Sequence, residues 1–321
     1  MNNKMTVLLL AFLIVFLFPL TLAAETAGEV HVSIYPIYEL ADRIGGEYLD
    51  IKQVVPDGVE PHGYEPSPRT IAGLERAKAF IYIGQGLEPW GERGAEIVSE
   101  QQGEVIKLTD HVDLIPYRGF YYEGEGAEEE ENHDHDHGHE HDHDHGDYDN
   151  HIWLDFNNME IIAEVLTDLF IELEPTREEE MLANKERVQN KLAELDQAFR
   201  EGLKDLEQDT IIVSHAAFGY LAENYDLQQV AVTGLSPEEE PSSRVVADLI
   251  EIARESGVEY IFLETLASPR TVDVIAEEAD LGVLTLNPVE GLREEDIERG
   301  ADYFSIMYEN LENLKKGLGK N

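Results

Sequence analysis

The sequence predicts an α/β protein with two similar lobes, each a mostly parallel sheet flanked by helices, joined by one long rigid helix. Short β-branched runs alternate with helically spaced apolar residues between positions 29 and 108, and the alternation returns between 210 and 316. Between these halves, residues 175–207 keep helical spacing with a single internal glycine. Such a helix would be ~45 Å long, enough to connect two lobes. The chain of 321 residues suffices for two ordinary domains.

The first half, residues 29–174, is expected to form the N-terminal lobe. Its opening run alternates and is β-branched, and Pro36 ends it. Glycine and proline clusters separate the later elements. The predicted strands are 30–35, 51–55, 79–83 and 105–108, and the predicted helices are 37–44, 70–78, 90–99 and 159–173.

A capping box, T-x-x-E from Thr176 to Glu179, predicts the start of the long helix, which is expected over residues 175–207. Residues 208–321 repeat the strand–helix alternation and are expected to form the C-terminal lobe. The predicted strands are 210–213, 228–232, 260–263 and 284–286, and the predicted helices are 216–225, 241–255, 269–279 and 296–316.

The N-terminal 24 residues predict a secretory signal peptide. Lys4 precedes an apolar run over residues 7–20, and the segment closes on Ala23 and Ala24. The run is short for a membrane span, which needs ~20 residues, and retention as an uncleaved anchor is the alternative. The protein is therefore expected to be exported to the periplasm or the outer face of the cytoplasmic membrane. It contains no cysteine, so it is expected to fold without disulfides.

The net charge of −45 restricts the classes of partner. It arises from 68 acidic residues against 23 Lys and Arg, and the acid is densest in residues 123–149. Nucleic-acid binding is excluded, because phosphates require Lys and Arg. A solubilising surface and adaptation to a salt-rich habitat both remain open as causes.

A metal-binding tract interrupts the first half. It has no apolar residue, so it is expected to be a solvated, disordered part of the acidic loop 123–149. Imidazoles and carboxylates both bind divalent transition metals. A purification tag is disfavoured, because the tract is internal and alternates with acid. Its histidines are His133, His135, His137, His139, His141, His143 and His145.

Five other histidines lie outside this tract. His31 lies within a strand and His111 in an ordinary loop, so both are expected to be structural or incidental. By contrast, His62, His151 and His215 lie at strand ends or in loops, and strand carboxyl ends are where α/β sheets bind ligands. Spacing alone makes these three only weak evidence for a site.

Several motifs in order resemble the zinc-uptake solute-binding proteins of ABC transporters. PHGYEPSP at 61–68 is similar to their PHxYEPxP segment, and HIWLD at 151–155 to the HxWLD segment that follows a His/Asp-rich loop. SHAAFGYL at 214–221 matches their SHxAFGYL segment, while IFLE at 261–264 and LNPVEGL at 286–292 also fit. The similarity runs from about residue 30 to the C-terminus.

The resemblance implies two lobes joined by one long helix, with the metal in the cleft between them. His62, His151 and His215 stand where the family has its metal-binding histidines. Three neutral imidazoles and one oxygen suit tetrahedral Zn²⁺, with bonds of ~2.0–2.1 Å to nitrogen. Manganese-specific relatives replace two of these histidines with carboxylates, so the resemblance favours zinc as the transported ligand.

The fourth ligand is open at this stage. The family often has Asp where this chain has Asn287, and an amide oxygen is a weaker donor. Water, Asn287, Glu60 and Glu290 are the candidates. Glu264 follows a strand and is expected to support a ligand or a hinge.

The resemblance implies a permease in the membrane as partner, and we expect a monomer. The long helix would limit closure to a small tilt, and the His-rich loop would act as an accessory collector, sensor or chaperone. Three alternatives remain: a zinc hydrolase, a surface zinc buffer or adhesin, and a manganese-binding member of the same transporter class. The hydrolase is disfavoured because the sequence has no H-E-x-x-H motif and no nucleophile motif.

Overall fold

The computed structural model describes residues 28–117, 148–238 and 241–319. The predicted signal peptide and the seven histidines of the tract lie outside these residues. The strands are β1 (Glu29–Val32), β2 (Asp50–Gln53), β3 (Ala77–Tyr82), β4 (Glu104–Lys107), β5 (Thr210–His215), β6 (Gln228–Thr233), β7 (Tyr260–Leu263) and β8 (Gly282–Thr285). The helices are α1 (Tyr35–Gly45), α2 (Pro68–Leu74), α3 (Gly91–Glu100), α4 (Phe156–Leu173), α5 (Glu178–Gly202), α6 (Gly219–Asn224), α7 (Ser243–Ser256), α8 (Arg270–Ala279), α9 (Glu294–Glu298) and α10 (Tyr303–Leu318).

The strands form two parallel sheets with the same topology, which confirms the predicted fold class. The orders are β2-β1-β3-β4 and β6-β5-β7-β8. In each sheet the chain reverses its winding direction beside the first strand, between β1 and β3 or between β5 and β7. Ligands in such sheets bind at this point, outside the carboxyl ends of the strands.

The long helix α5 packs against α1, α4 and α10, and so contacts helices from both halves of the chain. Its inward face is fully or almost fully buried. The buried apolar side chains are Met181, Val188, Leu192, Leu195 and Phe199. Their spacing of three, four or seven residues places them on one stripe, which explains why a helix of otherwise charged composition is stable here.

The predicted capping box is wrong. Residues 175–177 form a 3-10 turn, and the Thr176 hydroxyl donates to the Glu174 carboxylate rather than capping the helix. Helix α5 begins at Glu178 after Arg177, which provides no side-chain cap. Three glutamates in the first turn instead place negative charge near the positive end of the helix dipole. The helix ends at Gly202, earlier than the predicted 207.

The predicted closing helix 296–316 is two helices. Gly300, with φ of +67°, ends α9, and Asp302 starts α10 by accepting from the backbone N–H of Ser305 at 2.7 Å. Asp302 also pairs with Arg43 of α1 at 2.6 Å, and Glu39 of α1 accepts from the Tyr303 backbone N–H at 2.9 Å. Helix α10 is therefore attached at its start to the first lobe.

Other helix boundaries differ from prediction where a strand or loop takes over. The predicted helix 70–78 ends at Leu74 because β3 begins at Ala77, and the predicted helix 216–225 begins at Gly219. Within the three described ranges, no helix combines the length and hydrophobicity required to cross a bilayer.

Candidate metal centre

Four side chains from distant parts of the chain converge on one point: His62, His151, His215 and Glu290. His62 lies in the loop after β2, and His215 is the last residue of β5. His151 precedes a short 3-10 turn that leads into α4, and Glu290 lies in the loop after β8. The end of β5 and the loops that follow β2 and β8 therefore supply three of the four side chains, as expected at the carboxyl ends of parallel strands.

The four ligand atoms lie within 4.8 Å of one another, and four of the six distances between them are close to those of a tetrahedral site. His151 Nε2 and His215 Nε2 are 3.2 Å apart. Glu290 Oε1 lies 3.4 Å from the Nε2 atom of His62, and 3.6 Å from those of His151 and His215. A tetrahedral ion with bonds of ~2.0–2.1 Å has ligand atoms about 3.3–3.4 Å apart. The donor set therefore fits one Zn²⁺ ion without large movements.

Two of these atoms are buried without a hydrogen-bond partner among the described residues. They are His62 Nε2 and Glu290 Oε1. The side chains of His151 and His215 have no exposed surface, and that of Glu290 is 2 % exposed. Buried polar atoms are normally paired, so atoms that face one another unpaired indicate a missing common partner. A cation is the partner that three imidazole nitrogens and a carboxylate oxygen share.

Carboxylates behind two of the imidazoles fix which nitrogen faces the site. Asp149 Oδ1 lies 2.8 Å from His151 Nδ1 and accepts from the His151 backbone N–H at 2.9 Å. Glu264 bonds His215 Nδ1 and accepts from the His215 backbone N–H at 2.8 Å. Each carboxylate therefore holds the proton on Nδ1 and leaves Nε2 free for a metal.

Burial and charge act in opposite directions on the site's pKa values. Burial lowers the pKa of His62 to about 4, despite the nearby Glu290. Burial also opposes protonation of His151 and His215, but Asp149 and Glu264 outweigh it and raise both pKa values. Burial would raise the pKa of Glu290, yet the imidazoles hold it well below its usual range. A cation that binds here therefore competes with protons for His151 and His215.

The sequence matches the family described as zinc-uptake complex component A, periplasmic (ZnuA), over residues 30–317. The chain belongs to the ZnuA family. It is 34% identical over 299 residues to the high-affinity zinc uptake system protein ZnuA of Bacillus subtilis, covering 92% of this chain and 90% of that protein. It is 31% identical over 319 residues to the zinc-binding protein AdcA of Streptococcus pyogenes serotype M3, covering 98% of this chain. The chain spans 61% of the length of that AdcA protein.

Solved structures agree with the family assignment. The Zn(II)-bound ZnuA-like domain of Streptococcus pneumoniae AdcA has a TM-score of 0.74 at 30% identity, covering 91% of this chain and 99% of that domain. The metal-dependent lipoprotein YcdH of Bacillus subtilis has a TM-score of 0.72 at 30% identity, covering 90% of this chain and 99% of that one. The arrangement of two parallel sheets is therefore shared with ZnuA-like proteins.

The structure brings the three motif histidines of this ZnuA-family chain together with only one of the candidates for the fourth ligand, Glu290. Glu60 lies at the margin, with Oε1 3.9 Å from His62 Nε2, and burial together with Glu290 raises its pKa to about 7. The Asn287 side-chain oxygen accepts from the Val289 backbone N–H at 2.8 Å. Glu264 lies behind His215.

The remaining histidines lie apart from this site in the described ranges. His31 is buried, with Nε2 3.3 Å from Glu29, and His111 is exposed after a 3-10 turn. Asp149, which contacts the His151 ring, is the residue of the cluster that sequence reasoning misses. Its position two residues before His151 is the available signal, although it also ends the acidic loop 123–149.

Proposed function

We propose that this protein captures Zn²⁺ outside the cytoplasm and delivers it to the membrane permease of an ABC transporter. The observation that carries the proposal is the buried cluster of three imidazole nitrogens and one carboxylate oxygen, all within 4.8 Å of one another. Its place in the ZnuA family, whose relatives are named for zinc binding and zinc uptake, supports the same ligand.

The proposed ligands are His62, His151, His215 and Glu290. Nitrogen-rich, four-coordinate sites favour Zn²⁺, whereas Mn²⁺ prefers more oxygen donors. The proposed lobes are residues 29–174 and 208–321, with 175–207 as the connection. Attachment of α10 to α1 through Arg43 favours a small relative tilt of the lobes over a wide hinge when the ion enters or leaves.

The proposal also includes the cellular setting. The protein acts as a monomer after export directed by residues 1–24, in the periplasm or tethered to the outer face of the membrane. The His-rich segment 133–145 collects zinc for the cleft, because its alternating imidazoles and carboxylates bind divalent transition metals. Hydrolysis forms no part of this function.

A chelator competition titration on the exported chain tests the proposal. We expect one tight Zn²⁺ site in the wild type, weaker Mn²⁺ binding, and loss of the tight site in His215→Ala. That loss should exceed the about 10–100-fold typical of a missing supporting contact. His111→Ala is the matched control, because His111 is exposed and outside the cluster.

Deleting residues 134–144 separates the cleft from the His-rich segment. The tight site should remain after the deletion. If it disappeared while His62→Ala still bound zinc tightly, the segment would be the working part, as in a surface buffer. Tighter binding of Mn²⁺ than Zn²⁺ would identify a manganese carrier, and ester or peptide hydrolysis abolished by His215→Ala would identify an enzyme.

A further inference from the structure

The loop that carries Glu290 has an unusual backbone. Val289, immediately before this proposed ligand, has φ of +61°. That left-handed conformation is strained for a β-branched residue, and glycine would adopt it without cost. The Val289 side chain is completely buried. Strained residues persist only where surrounding contacts determine them, and they concentrate at ligand sites.

Two asparagines supply those contacts. The Asn310 side chain of α10 accepts from the Asn287 backbone N–H at 2.8 Å and donates to the Asn287 carbonyl at 2.7 Å. The Asn287 side-chain oxygen in turn accepts from the Val289 N–H at 2.8 Å. Both asparagines are buried. We call this set of three bonds the Asn287–Asn310 clamp.

A fourth bond holds the carbonyl of the Pro288–Val289 peptide, whose N–H already belongs to the clamp. The Trp153 indole N–H donates to the Pro288 carbonyl at 2.6 Å. Trp153 follows His151 by two residues, and the centres of their rings are 5.2 Å apart. The backbone before Glu290 is therefore held from α10 on one side and from the segment of a proposed histidine ligand on the other.

We propose that the Asn287–Asn310 clamp is a positioning device that holds Val289 in its left-handed conformation and thereby directs one oxygen of Glu290 at the three imidazoles. This inference rests on the proposed zinc-binding function. Asn287 acts through the Val289 backbone, and its side-chain oxygen is not a metal ligand. One fixed carboxylate oxygen completes a four-coordinate site, which suits Zn²⁺ better than Mn²⁺.

The clamp predicts a specific pattern of loss and rescue. Asn287→Ala removes the acceptor for the Val289 N–H, so Val289 can relax and Glu290 is displaced. Zinc affinity should fall by about 10–100-fold, the range for supporting residues of metal sites. Asn287→Asp keeps an acceptor oxygen, so its zinc affinity should fall by clearly less than about 10-fold.

Glycine at position 289 provides the decisive rescue. Because glycine adopts positive φ without a side-chain penalty, Val289→Gly should restore most of the affinity lost in Asn287→Ala when the two changes are combined. The single Val289→Gly variant measures the cost of removing the buried valine side chain, and it is the reference against which the double variant is compared. Asn313→Ala is the matched control, because Asn313 also donates from α10 to a carbonyl, that of Thr285, outside the clamp.

The experiment measures Zn²⁺ and Mn²⁺ affinities by chelator competition, and the visible absorption of the Co²⁺-loaded proteins. Loss of the Glu290 oxygen should admit water and weaken the intense absorption of tetrahedral Co²⁺ in Asn287→Ala, and the ratio of zinc to manganese affinity should fall. Asn310→Asp, which loses the donor to the Asn287 carbonyl, replaces Asn287→Ala if that variant does not fold.

Two results would overturn the inference. One is wild-type zinc affinity together with an unchanged Co²⁺ spectrum in Asn287→Ala, or in Asn310→Asp where that variant replaces it. The other is a double variant no better than Asn287→Ala alone. Failure of the proposed function gives a different result, because the wild type itself would then lack a tight zinc site.

Discussion

Replacing Glu264 with glutamine should weaken zinc binding while leaving the fold intact. Glu264 is almost fully buried and bonds both the Nδ1 atom and the backbone N–H of His215. Glutamine has the same shape and can still accept through its amide oxygen, so the ring orientation should largely persist. The negative charge behind the imidazole is lost, and with it the added basicity of Nε2.

The magnitude follows from this geometry. Supporting carboxylates of metal-bound histidines contribute about 10–100-fold in metal affinity, which is about 1.4–2.7 kcal/mol. We expect Glu264→Gln to lie in that range at pH 8. Glu264 also raises the pKa of His215 against the opposing effect of burial, so the wild type suffers more proton competition than the variant as the pH falls. The difference in affinity should therefore shrink at pH 6.

Chelator competition at both pH values measures this effect, with thermal unfolding of the metal-free protein as a check on folding. Asp296→Asn is a matched control, because Asp296 is also a fully buried carboxylate. It lies in α9 and pairs with Arg293 and Arg299, which flank that helix. Wild-type affinity in Glu264→Gln, or a difference that grows at pH 6, would refute the reasoning.

Three further results are expected. Zinc binding at pH 7 should release protons, because the pKa values of His151 and His215 are raised. Calorimetry in buffers of different ionisation enthalpy would show this release, and a heat of binding that does not depend on the buffer would contradict it. Free Zn²⁺ at 100 times its Kd should stabilise the fold by about 2.7 kcal/mol in urea unfolding, whereas an unchanged midpoint would exclude preferential binding to the native state. Asp302→Ala should lower the unfolding free energy by about 1 kcal/mol at neutral pH through loss of the α10 cap, and near-wild-type stability would show that the cap is dispensable.

The stability effect of Asp302 should also depend on pH. Burial opposes ionisation, but Ser305 and Arg43 lower the pKa of Asp302 below its ordinary value of 3.8. A carboxylate with a lowered pKa stabilises the fold above its ordinary pKa and loses that contribution as the pH falls through the folded value. The difference between wild type and Asp302→Ala should therefore be constant from pH 5 to 7 and shrink below about pH 4.

The sequence predicted the sheets and most helices because buried parallel strands and amphipathic helices leave strong local patterns. The ends of the helices were harder to predict. The hydroxyl of Thr176 could cap a helix or bond Glu174, and the sequence does not decide between these partners. The break near Gly300 depends on Asp302, which is held by Arg43 from the other lobe.

The residues of the candidate metal centre also differ in how far the sequence predicts them. The three histidines were predictable because each lies in a sequence motif that resembles a segment of the family. The position of Glu290 in the cluster was not predictable, nor was the turn of the Asn287 side chain toward the Val289 N–H, because the bond from Asn310 comes from a distant helix. Asp149 could not be distinguished from the acidic residues that precede it in the sequence.

The most direct test of the central claim is anomalous diffraction at the zinc edge from crystals of the zinc-loaded protein. The account predicts one strong peak, ~2.0–2.1 Å from the Nε2 atoms of His62, His151 and His215 and at similar distance from one oxygen of Glu290. A peak bound by Asn287 or Glu60 in place of Glu290, or the absence of a peak between the lobes, would contradict it.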